Sequence, residues 1–230
     1  MSILCPLRLV KENNVYMIVN ERIVTYIHSL ERDNSQVCMD IEGYAHQTDV
    51  PIIRKEMESF LKVMLAIKKP AKVLELGTAI GYSAILMSEC LPEGSTITTI
   101  ENYDKRIPIA KENIKRAGKE QVITLLEGDA MEIIPRLEEK YDFVFMDAAK
   151  GQYINFLPLV LKVMNKEGIL IADNVLQDGD LIESRFGIER RNRTIHSRMR
   201  EYMYTVKNMP ELETTIVPIG DGITVSVLKG

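Results

Sequence analysis

Tryptophan is absent from this chain, phenylalanine occurs only five times, and there are three cysteines among 230 residues. Cys5, Cys38 and Cys90 are odd in number and share no CxxC spacing, which argues against a thiolate metal site and for a reduced, cytoplasmic protein. No apolar run approaches the roughly 20 residues that cross a bilayer, so no membrane partner is expected. The start, MSILCPLRLVKENN, lacks the basic stretch, sustained apolar core and small-residue cleavage site of a signal peptide. Nor is there an internal repeat, a low-complexity tract or a Pro/Gly/Ser linker. The expectation is one domain over 1–230, with a helical extension over 1–48 and a core over 49–230. A net charge of −4 gives no global attraction to nucleic acid.

What is present is ordinary in bulk and specific in order. Apolar residues make up 46% and charged residues 27%, enough to bury the core of one α/β domain. Val15, Val19, Ile23, Ile27 and Leu30 recur near helical spacing over 13–30, and 36–46 reads as a second short helix. The stretch DVPIIRKEMESFLKVMLAIKKP predicts a third, with Pro51 in its first turn and Ile53, Met57, Phe60, Leu61 and Met64 along one face. The pattern then changes. KVLELG (72–77), STITTIE (95–101), VITLLEGDA (122–130), YDFVFMD (141–147) and GILIADN (168–174) read as strands, and helical segments separate them. That alternation predicts a parallel sheet covered on both faces. The end breaks it, because TTIVPI and ITVSVL flank Gly220-Asp221-Gly222 as an antiparallel hairpin.

In an open α/β sheet, ligands bind beyond the carboxyl ends of the strands. Here those ends carry Glu75 with Gly77, then Glu101, Asp129, Asp147, and Asp173 with Asn174. Gly77 and Gly81 permit a tight turn close to a ligand, and Ser83 opens the next helix. The turn is neither GxxxxGK[ST] nor a good GxGxxG, since Ala79 replaces the second glycine. Glu75 would repel a pyrophosphate but suits an ammonium group, and Glu101 can accept from both hydroxyls of a ribose. A ligand with ribose, adenine and ammonium but no phosphate is S-adenosyl-L-methionine (SAM).

Asp147, Asp173 and Asn174 end two strands expected to be neighbours. Three oxygen donors without nearby histidine or thiolate suit Mg²⁺ or another divalent cation rather than zinc. The bland alternative is a salt bridge from Asp147 to Lys150, with Asn174 capping a turn. A lysine beside a cation and partly buried can act as a general base. In that reading the cation holds two vicinal substrate oxygens, and Lys150 removes a proton before in-line attack on the SAM methyl group. His28, His46 and His196 stand alone and read as surface or packing residues.

VLELGTAIGYSA, DFVFMDAAKGQY, ILIADNVL and PIGDGITVSVLKG together resemble the cation-dependent O-methyltransferases, which include catechol and caffeoyl-CoA O-methyltransferases. The resemblance covers roughly residues 36–230. Within that family VPI, GTAIGYSAI, DAAKGQY, DNVL and an arginine-rich stretch look like the bacterial tRNA 5-hydroxyuridine methyltransferases. The resemblance implies a Rossmann-like class I SAM-dependent methyltransferase fold, a mostly parallel seven-stranded sheet with a C-terminal antiparallel hairpin and extra N-terminal helices. It implies Mg²⁺ ligands at Asp147, Asp173 and Asn174. It implies SAM contacts from Met57, Glu75, Gly77, Ser83, Glu101, Asp129, Ala130 and Asp147, with Lys150 and Asp147 catalytic. Glu56 departs from the family, standing where a glycine is expected before the methionine.

The substrate turns on one segment. From Arg185 to Arg200 six arginines face one acid, Glu189. Phosphate contacts dominate nucleic-acid affinity, and Arg190, Arg191, Arg193 and Arg198 are placed to make them at the mouth of the site. The expected activity is therefore methylation of 5-hydroxyuridine at the tRNA wobble position to 5-methoxyuridine, with the anticodon loop as partner. The alternative is a catechol, phenolic or acyl-CoA-linked substrate: the absence of tryptophan and the scarcity of phenylalanine weaken a catechol-type one, while acyl-CoA phosphates are another client for the same arginines. The N-terminal helices either cap the site or build a homodimer, and a homodimer is the expected assembly.

Overall fold

Side-chain parity along two strands explains how the sheet is covered. In this computed structural model, which describes residues 19–230, Phe143 and Phe145 enter one buried cluster while Val144 and Met146 enter another. The neighbouring strand divides the same way, Ile169 and Ile171 against Leu170 and Ala172. A strand buried on both faces reads as a continuous apolar run, so YDFVFM and GILIA carry no polar alternation.

The elements in chain order are α1 (Glu21–His28), α2 (Gln36–Gln47), α3 (Lys55–Lys68), β1 (Lys72–Leu76), α4 (Tyr82–Ser88), β2 (Thr96–Glu101), α5 (Ile107–Arg116), β3 (Ile123–Glu127), α6 (Ala130–Ile133), β4 (Tyr141–Met146), α7 (Tyr153–Val163), β5 (Met164–Ala172), α8 (Arg193–Asn208), β6 (Leu212–Val217) and β7 (Ile223–Leu228). Among the described residues seven strands form one sheet in the order β3-β2-β1-β4-β5-β7-β6. The first five are parallel, while β7 runs antiparallel to both β5 and β6. α2 to α5 cover the face of Phe143 and Phe145, where Ile41, Leu61, Leu65 and Ile85 are buried. α7 and α8 cover the other with Tyr153, Val160, Met199 and Tyr202. Among the described residues no helix is long and apolar enough to cross a membrane.

Local chemistry moves some boundaries from their expected places. Pro51 is not in a helical first turn: α3 begins at Lys55, and Arg54 precedes it with extended backbone. The helix expected over 13–30 is observed over 21–28, where Asn20 caps it by accepting from the Arg22 N–H. Residues 13–18 lie outside the described residues. Met164 starts β5 instead of ending α7. MEIIPRL gives only the four-residue α6 before a 3-10 turn containing Pro135.

Candidate active site

β1 and β4 are neighbours, yet the chain leaves β1 toward β2 on one side and β4 toward β5 on the other. Such a reversal leaves a crevice at the carboxyl ends of the strands. A cavity of about 530 Å³ lies there, lined by the extended segment before α3, the β1–α4 turn and the ends of β2, β4 and β5.

Of the residues singled out in the sequence, Met57, Gly77, Glu101, Asp147, Lys150, Asp173 and Asn174 line this one cavity. Gly77 permits the closeness. Its φ is +87°, and a Cβ there would fall 2.2 Å from the Asp147 carbonyl oxygen. Gly77→Ala is therefore expected to cost at least about 2 kcal/mol from the left-handed backbone and the clash, read as a lowered urea midpoint. Glu101 is fixed at the wall by three backbone donors. Oε2 accepts from Ala79 N–H at 2.8 Å, and Oε1 accepts from Asn102 at 2.9 Å and Tyr103 at 2.8 Å. A carboxylate has about four acceptor positions, so Oε2 keeps one beyond those three, available to a ribose hydroxyl.

Glu75 and Ser83 sit behind the wall rather than on it. Glu75 is fully buried and accepts from the Ser83 and Thr99 hydroxyls, tying β1 to α4 and β2. Burial pushes its carboxyl up, and the hydroxyl donors draw it partly back. Asp129 accepts from the Met131 N–H as the cap of α6, and Ala130 is buried; neither lines the cavity.

The acids at the ends of β4 and β5 share one environment. Loss of solvent raises both Asp147 and Asp173 above the ordinary carboxylate range. Repulsion from Asp147 raises Asp173 further, while the Lys150 ammonium draws Asp147 back. Two carboxylates that repel one another at the wall of one cavity favour a shared cation. Among the described residues no group of three or more His, Cys, Asp or Glu side chains is arranged to hold one. Asp147, Asp173 and Asn174 could together offer two carboxylates and an amide oxygen, a set that would fit a hard divalent ion that keeps some of its waters.

Two residues that the sequence did not single out complete the site. Tyr153, fully buried, shares its one O–H between the carbonyls of Met146 and Asp173, each 3.1 Å away, and so links the ends of β4 and β5. Its phenol is raised well above its ordinary value by burial and by the nearby aspartates, so it remains a donor. Asp221 reaches the cavity from the β6–β7 turn, where Arg54 meets it. Tyr153 closes the quoted DAAKGQY motif, and an aromatic at the first position of an apolar helix was the signal available. Asp221 had none beyond its flanking glycines.

The arginine segment divides into two groups. Arg198 donates to the Gly151 carbonyl at 3.1 Å, tying α8 to the turn that carries Lys150. Arg193 donates to the carbonyls of Ile188 at 3.1 Å and Phe186 at 3.4 Å. The segment between β5 and α8 is irregular, and its carbonyls need donors. Arg190 and Arg191 are exposed, and Arg191 pairs with Glu189 at 2.7 Å. His196 is buried with Nε2 on the Glu183 carbonyl, and His28 meets Glu56 at 2.6 Å.

A family model described as O-methyltransferase matches residues 33–229. Caffeoyl-CoA O-methyltransferase 2 of Populus trichocarpa is 27% identical over 190 residues, 78% of this chain and 75% of that protein. The catechol O-methyltransferase of Niastella koreensis is 33% identical over 128 residues, 54% of this chain and 58% of its own length. Among solved structures, the O-methyltransferase of Bacillus cereus in complex with SAH superimposes with a TM-score of 0.80 at 23% identity, covering 90% of this chain and 97% of that one.

Proposed function

The chain belongs to the O-methyltransferase family, and from that premise we propose that it is a SAM-dependent enzyme of the catechol and caffeoyl-CoA type, methylating one of two adjacent oxygens on an aromatic substrate. One observation carries this reading: Lys150, Asp147, Asp173 and Asn174 line the same cavity as Gly77 and Glu101. Glu101 accepts a ribose hydroxyl of SAM, and Gly77 lets the cofactor lie against the backbone. Lys150, in its neutral amine form, takes the proton from the attacking hydroxyl, and Met57 closes the wall beside the cofactor. A divalent cation held by Asp147, Asp173 and Asn174 would supply Lewis acidity, making a bound hydroxyl easier to deprotonate. Positioning does much of the remaining work, because the oxyanion must meet the methyl carbon in line with the departing sulfur.

A second reading rests on the exposed part of the arginine segment. Arg185, Arg190 and Arg191 are exposed in the same segment as Phe186, which is 85% exposed. A segment that offers both cations and an aromatic ring to solvent suits an unpaired nucleotide. The 5-hydroxyl and 4-carbonyl oxygens of 5-hydroxyuridine are vicinal like those of a catechol, so tRNA can present the same chemistry. The test is methyl transfer from labelled SAM to a catechol, to caffeoyl-CoA and to tRNA bearing 5-hydroxyuridine, each with and without EDTA. Label on the catechol-type acceptors, lost with EDTA and restored by Mg²⁺, is the expected result. Label on tRNA alone would transfer the assignment to the second reading.

A further inference from the structure

Asp221 belongs to a hairpin turn, yet its carboxylate joins the end of a parallel strand. Its Oδ1 lies 2.5 Å from Arg54 Nη2, and its Oδ2 accepts from Asn174 Nδ2 at 3.3 Å. The two loops are zipped by backbone bonds, from Val175 N–H to the Gly222 carbonyl at 2.8 Å and from Leu176 N–H to the Asp221 carbonyl at 2.9 Å. Gly222 makes this approach possible, since a Cβ there would fall 2.4 Å from Leu176 Cγ. Asn174 itself has a left-handed backbone, φ +55°, which asparagine tolerates better than most residues.

An asparagine amide has a donor end and an acceptor end, whereas an ionised carboxylate only accepts. Asp221 can therefore face only the NH₂ end of Asn174, which leaves the amide oxygen on the other side. We propose that Asp221 is a positioning residue for methyl transfer. It orients the Asn174 amide so that oxygen, not NH₂, meets a cation shared with Asp147 and Asp173, and Arg54 holds Asp221 in place for this. An amide turned the other way would present two N–H groups to the cation and remove a ligand. The inference rests on the cation reading of the site. It goes beyond that reading by assigning the selection of the ligand atom to the hairpin.

The test is Mn²⁺ titration, followed by the electron paramagnetic resonance of the free ion, on wild type, Asp221→Ala and Asp221→Asn. Calorimetry with SAH in EDTA runs alongside. Partners that orient a ligand are typically worth roughly 10–100-fold in metal affinity, so Asp221→Ala should weaken Mn²⁺ binding by about that factor. SAH affinity without metal should stay within about twofold of wild type, as neither Asp221 nor Asn174 need touch the cofactor. Asp221→Asn can accept from or donate to Asn174, no longer dictates its orientation, and should fall between the two. It also serves as the folded variant should alanine disturb the turn. Wild-type Mn²⁺ affinity in either folded variant, or an equal loss of SAH and Mn²⁺ affinity, would overturn the proposal. Failure of the wild type itself to bind Mn²⁺ would refute the cation reading beneath it.

Discussion

Alanine in place of Lys150 is expected to lower kcat by roughly 10²–10⁴-fold, the span of a lost general base, with SAH affinity almost unchanged. Lys150 opens the 3-10 turn that follows β4, three residues after Asp147, and its ammonium is the charge that draws Asp147 back toward its ordinary range. Two roles are therefore open to it, proton acceptor and counter-charge, and a second variant separates them. Lys150→Arg keeps the positive charge beside Asp147 but cannot give up its proton near neutral pH. A proton acceptor predicts that Arg is nearly as inactive as Ala; a counter-charge predicts that Arg restores most of the rate. Single-turnover methyl transfer at saturating acceptor reads the difference without interference from product release.

Asp173→Asn is expected to cost at least about 10²-fold in kcat/KM, because several kcal/mol of charge stabilisation are lost and each decade is about 1.4 kcal/mol. Excess Mg²⁺ should not restore it. The same substitution should leave the protein in EDTA as stable as wild type or more so. Asp173 is raised in the folded state by burial and by Asp147. A raised carboxyl binds more protons folded than unfolded, so its contribution to stability falls as pH rises through that interval. Asparagine is neutral throughout, and its oxygen can still accept the Asn174 N–H that Asp173 Oδ1 now accepts. The gain over wild type should therefore be largest near about pH 8 and shrink toward about pH 4, as melting in EDTA at the two pH values would show. A residue whose loss stabilises the fold while abolishing turnover is retained for function. Equal loss of stability and activity would make Asp173 a structural residue.

Strand ends were the most readable part of this chain. An acid closing an apolar run such as Phe143–Met146 is incompatible with burial on both faces unless the strand stops there, and Asp147 does mark that point. Asp173 follows β5 for the same reason. Spacing alone could not tell which strand-end acid faces the cavity. Glu75 was expected at the SAM ammonium, yet its side chain enters the sheet interior between Ser83 and Thr99, the hydroxyls that make its burial tolerable. The arginine cluster was legible only as a run of cations. Spacing could not tell that the guanidinium groups of Arg193, Arg198 and Arg200 donate to backbone carbonyls while Arg190 and Arg191 stay exposed. Asp221 was least legible. Gly-Asp-Gly is ordinary turn chemistry, and its meeting with Asn174 and Arg54 exists only because β7 inserts antiparallel between β5 and β6. That contact joins residues 47 positions apart, a separation that no local pattern records. A second contact of that turn, Arg54 with Asp221, falls on the extended residue just before α3 begins at Lys55.

A crystal grown with SAH and Mn²⁺, with anomalous scattering recorded to locate the manganese, examines the whole arrangement at once. One anomalous peak bonded to carboxylate oxygens of Asp147 and Asp173 and to the amide oxygen of Asn174, beside a cofactor whose ribose meets Glu101, is the predicted map. A peak elsewhere, or SAH bound in this cavity with no manganese at those three side chains, would contradict it.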